Sequence, residues 1–150
     1  MEFVETIPRE FNRLKVYTFQ VSRTVAGSGV DSYAGYDSLT LDEDVIFVGA
    51  DMTMRTSEAS DGHAEGICRG VISHVPNLND GSSKEPVWAN LAIENRTPFA
   101  KVEFKERYGA YIKMKAEETI HIYFASILRN LSAADAMVVY YLHLYGRVKG

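Results

Sequence analysis

Two runs near the C-terminal end constrain this chain more than any other part of it. Residues 119–128 read Thr-Ile-His-Ile-Tyr-Phe-Ala-Ser-Ile-Leu, and residues 137–145 read Met-Val-Val-Tyr-Tyr-Leu-His-Leu-Tyr. Branched and aromatic side chains fit a pleated, half-buried surface, so both runs are expected as long strands. The second is apolar or aromatic on both faces, with His143 the only break. Such a strand belongs inside a sheet, covered on both sides. A central strand this late in the sequence can be placed only after the rest of the chain exists, so the fold is expected to close around it.

The remaining segments keep the same period. Residues 14–21 carry Val16, Tyr17, Phe19 and Val21, with a phase shift after Val16 that suggests a bulge. Residues 26–36 hold Gly-Ser-Gly and further turn residues and are read as a flexible loop. Residues 38–41 are a short strand, Asp42, Glu43 and Asp44 a turn, and residues 45–56 a strand with Ile46, Val48, Ala50, Met52 and Met54 on one face. Residues 57–65 and 76–86 are polar loops around a strand at 67–75. Two cleanly alternating strands follow. In residues 87–94, Val87, Ala89, Leu91 and Ile93 face inward while Trp88 and Asn90 face out. In residues 100–105, Ala100, Val102 and Phe104 face inward. Residues 111–115 repeat the pattern with Ile112 and Met114. One apolar face and one solvated face is the antiparallel signature. The best helical stretch is residues 132–136, a turn or two at most. The fold class is therefore all-β: an antiparallel β-sandwich, a single jelly roll of about eight strands. Residues 1–12 form an N-terminal arm bearing Phe3, Val4, Ile7 and Phe11, which packs on its own domain or on a neighbouring copy; residues 13–150 form the sandwich domain.

Composition limits the function. The chain has 150 residues, 46% hydrophobic and 24% charged, with a net charge of −4. That argues against strong nucleic-acid binding, which needs clustered Lys and Arg. One cysteine, Cys68, permits no internal disulfide and sits in a strand as a small hydrophobe. The first residues lack the basic and apolar regions of a signal peptide, and no apolar run is long enough to span a bilayer.

The chemistry-bearing residues are scattered. Of the four histidines, His121 and His143 would come together only if the last two strands formed a simple hairpin, and a jelly roll would separate them. Asp42, Glu43 and Asp44 sit in an exposed turn without the desolvation a general acid needs. The Gly-Ser-Gly segment matches no phosphate-loop spacing, and no serine lies in a GxSxG elbow. No cofactor, metal or catalytic residue is expected. Trp88, read as outward-facing beside Asn90, is a candidate for a subunit interface or, with Tyr33 and Tyr36, for a sugar-stacking platform.

With the strands laid out, and with turns at Leu39-Thr-Leu-Asp-Glu-Asp-Val45 and Lys115-Ala-Glu-Glu-Thr-Ile120, the chain resembles the small jelly-roll capsid proteins of viruses across residues 13–148. The resemblance implies a structural, self-assembling, non-catalytic virion protein assembled in a host cytoplasm. Its partners would be copies of itself, with or without other coat proteins. Phe3, Val4, Ile7, Phe11 and Trp88 would contribute to subunit contacts. The alternative is a carbohydrate-binding β-sandwich, a lectin-like or receptor-binding module.

Overall fold

The computed structural model describes residues 1–56, 64–74 and 88–150. Among these, the strands are β1 (Glu2–Val4), β2 (Arg13–Val25), β3 (Val30–Thr40), β4 (Val45–Thr56), β5 (Ala64–Ser73), β6 (Ala89–Glu94), β7 (Phe99–Glu103), β8 (Tyr111–Met114), β9 (Thr119–Asn130) and β10 (Ala136–Val148), with one helix, α1 (Phe104–Tyr108). The loops expected at 57–65 and 76–86 lie mostly outside the described residues, as do Val75, Val87 and His63.

The strands form two antiparallel sheets. Sheet A runs β1-β8-β4-β10-β2, with β7 also paired to β4; sheet B runs β3-β9-β5-β6. Its logic is a single ribbon of chain doubled on itself. β2 pairs with β10 from Arg13↔Val148 to Val25↔Ala136, and β3 with β9 from Val30↔Arg129 to Thr40↔Thr119. β4 pairs with β8 at Val45↔Met114, and β5 with β6 at Ile67↔Glu94. The doubled ribbon then wraps so that β2, β10, β4 and β8 face β3, β9, β5 and β6. This is a jelly roll. β10 lies between β2 and β4, inside the sheet as expected but one strand in from the β2 edge.

The core is the set of inward residues from both sheets. Val138, Tyr140, Leu142 and Leu144 of β10 meet Ile120, Ile122, Phe124 and Leu128 of β9, all buried. Gly70 of β5 faces side chains of sheet A. A Cβ there would lie 2.7 Å from Leu142 Cδ1 and 2.8 Å from Met52 Sδ, so a side chain at this position would force those two side chains to move. Tyr140 reaches across from sheet A, and its hydroxyl meets Ser126 Oγ of sheet B at 3.2 Å. Burial pushes the Tyr140 phenol up to about 12 and the Cys68 thiol also up to about 12, so neither ionises at neutral pH.

Several sequence expectations need correction. The outer face of β10 is not covered by another layer: Val139, Tyr141, His143, Tyr145 and Arg147 are half-buried there. They shield one another, since the rings of Tyr141 and His143 stack at 6.1 Å and 9°. β2 keeps an unbroken register against β10, so it has no bulge; Leu14 and Val16 simply face outward. The irregularity lies instead between β4 and β10 at Tyr145/Gly146. It explains why Val45 and Phe47 reach the core on one side of Val48 while Ala50, Met52 and Met54 reach it on the other. Residues 26–36 are a loop only at their start, because β3 begins at Val30. Residues 132–134 form bends, not a helix, and Ala136 already opens β10. The helix falls at Phe104–Tyr108, closed by Gly109 at φ 73, whose N–H reaches Lys105 O at 2.9 Å. It is the only described helix, too short to cross a membrane.

Candidate assembly surfaces

The arm is part of the fold. β1 adds to the edge of sheet A through Glu2↔Lys113 and Val4↔Tyr111. Phe11, 3% exposed, is buried against its own chain, with the Lys113 and Lys149 ammoniums 5.7 and 5.6 Å from its ring. It offers nothing to a neighbour in this conformation. Phe3 is half exposed, and Val4 and Ile7 are half-buried, so these three remain at the surface.

Trp88 is 1% exposed, which corrects its outward assignment. The alternation expected across 87–94 holds from Ala89 onward, with Ala89, Leu91 and Ile93 inside. Trp88 precedes the strand, in a bend, so the pleat does not decide its direction. Its indole packs on Phe47 at 5.6 Å and Phe104 at 6.4 Å, and its Nε1–H points to His74 Nδ1 at 3.0 Å and Met1 Sδ at 3.1 Å. Tyr108 donates to the Trp88 carbonyl at 2.6 Å. A ring clamped this way is neither a sugar platform nor an exposed anchor. Tyr33 and Tyr36 do not complete a platform either, since three residues along a strand place them on opposite faces. Tyr33 turns toward the core under the Arg23 guanidinium at 4.4 Å, while Tyr36 faces out against Tyr123.

His121 and His143 lie on the outer faces of opposite sheets, β9 in sheet B and β10 in sheet A. The jelly roll separates them. Each has a local partner instead. The Tyr36 hydroxyl and His121 Nδ1 are 2.6 Å apart; burial, with His74 nearby, holds His121 below its ordinary pKa and favours the neutral ring. His143 Nδ1 lies 2.8 Å from Asp51 Oδ1, and Tyr145 donates to Asp51 Oδ2 at 2.6 Å. That bond pushes the Tyr145 phenol up to about 12. Asp51 and Tyr145 come together only through the β4–β10 register, so residue spacing alone does not reveal the cluster. Among the described residues, no three His, Cys, Asp or Glu side chains are grouped to hold a metal ion.

The outer face of sheet B carries a row of exposed apolar residues. Read across β3, β9, β5 and β6, one row is Ser32, Ile127, Ile67 and Glu94. The next is Ala34, Ala125, Arg69 and Ala92. Ile127 is 64% exposed and Ile67 53%. Between them and the alanines lies an open groove of about 720 Å³, edged by Glu65, Arg69 and Arg129. The two isoleucines and the alanines thus form one contiguous stretch of exposed apolar surface bordered by charge. The sequence pattern contains the signal, an isoleucine at the same height on two adjacent strands, but it is legible only once β5 is known to pair with β9.

No protein-family model matches the chain, and no curated protein sequence matches it. Among solved structures, the chain is similar to the BFDV capsid protein in a decameric assembly, at 14% identity over 92% of this chain and 100% of that one, with a TM-score of 0.44. It is similar to a chain of the Israeli acute paralysis virus particle at 8% identity, over 93% of this chain and 74% of that one, with a TM-score of 0.45. It is also similar to TmCBM61, solved with β-1,4-galactotriose, at 12% identity over 89% of each chain, with a TM-score of 0.32.

Proposed function

We propose that this chain is a structural, non-catalytic coat protein that assembles with copies of itself into a virion shell. The observation that carries the reading is exposed apolar surface on two opposite sides of one jelly roll. Ile67 and Ile127 stand out from sheet B, while Leu14 and Val16 stand out from sheet A. A closed dimer requires one such face, whereas a chain with two can contact several neighbours and build a larger closed assembly. The half-exposed Phe3, with Val4 and Ile7, adds a third contact region at the edge of sheet A. The net charge of −4 fits a coat that contacts other protein more than nucleic acid.

Negative-stain electron microscopy of the purified chain tests this. Closed particles of uniform diameter are the expected result. Featureless fields at every salt and protein concentration tried would count against the reading.

A further inference from the structure

Resting on the self-assembly reading, we infer that the outer face of sheet B binds the same face of a second copy across a twofold axis parallel to the strands, between β9 and β5. The register of β5 against β9 sets this contact. Rotation about that axis lays β9 of one copy over β5 of the other at equal height along the strands. Residues paired across β5 and β9 within a chain then exchange places between chains. Glu65 pairs with Arg129, Ile67 with Ile127, and Arg69 with Ala125. Across the axis, Arg129 faces Glu65 of the second copy, Ile127 faces Ile67, and the long Arg69 side chain lies over the small Ala125. Every contact occurs twice. The face is thus complementary to itself in charge, in apolar surface and in size. A polyanion would meet Glu65 and Glu94 beside the arginines, and so fits it less well.

Charge pairs enclosed by an interface, when opposed to like charge, cost enough to weaken association by roughly tenfold or more. Sedimentation velocity on the full chain reads this directly. Arg129→Glu alone and Glu65→Arg alone should each weaken self-association by roughly tenfold, because each puts like charges together at both symmetric positions. Mixing the two variants should restore association, because a mixed pair has opposite charges at both positions. Within each chain of the mixture, residues 65 and 129 still carry like charge at paired positions of β5 and β9, so recovery reports only the contact between copies. Ile127→Glu and Ile67→Arg, both at exposed positions, should weaken association without shifting the thermal melt. Association unchanged by all four variants, or no recovery on mixing, would overturn this contact and leave assembly through other faces standing. A wild-type chain that never associates would overturn both.

Discussion

The Tyr140 hydroxyl donates to Ser126 Oγ at 3.2 Å, a hydrogen bond that ties β10 of sheet A to β9 of sheet B. Both residues are buried, Tyr140 completely. The ring supplies core volume against Phe124 at 5.9 Å, and the hydroxyl supplies a directional link between layers. Tyr140→Phe keeps the ring and leaves the Ser126 hydroxyl short of a partner. The expected loss is about 1 kcal/mol, read as a lower urea midpoint at unchanged slope. Tyr140→Ala also opens a cavity and should cost about 3–5 kcal/mol.

Trp88 is the single tryptophan of the chain, so its fluorescence reports one site. Packed on Phe47 and Phe104, it should emit blue-shifted light in the native state and shift red on unfolding. Trp88→Ala should cost about 3–5 kcal/mol. Acrylamide should quench this emission only weakly, and efficient quenching would contradict the burial of the ring.

Arg23 grips Asp31 with two hydrogen bonds of 2.9 Å, holding the carboxyl below the usual carboxylate range. A depressed folded-state pKa contributes stability above the unfolded value of about 3.9 and loses it as pH falls through the folded value. Asp31→Asn should therefore be less stable than wild type at neutral pH. The gap should close progressively in acid below about pH 4. Both side chains are partly solvated, at 31% and 16% exposure, so the effect is small. Urea midpoints at several pH values check it; a gap independent of pH would assign the loss to packing alone.

The arm and the last strand are both structural. Deleting residues 1–12 removes β1 and Phe11, which caps the chain from within, so it should lower the melting temperature as well as altering the surface. Deleting residues 136–148 removes the strand between β2 and β4 and should abolish folding. Circular dichroism distinguishes the two: a destabilised β spectrum for the first, an unfolded one for the second.

The fold was legible because period-two alternation survives in most strands. Val138, Tyr140, Leu142 and Leu144 declare one face of β10, and Ile120, Ile122 and Phe124 one face of β9. What the sequence concealed lies where the pleat stops deciding direction. Trp88 sits in a bend just outside β6, Phe104 opens a helix, and the β4–β10 irregularity flips the phase at Val48. Surface relationships were hidden for another reason. Ile67 and Ile127, or Asp51 and Tyr145, become neighbours only through pairings between strands far apart in the chain.

The proposed coat function requires the exterior of this jelly roll to meet other copies. Light scattering of the purified chain over a concentration series tests it most directly. Mass should rise with concentration from the 16.8 kDa chain to a discrete, larger assembly. A mass that stays at 16.8 kDa up to the solubility limit would contradict it.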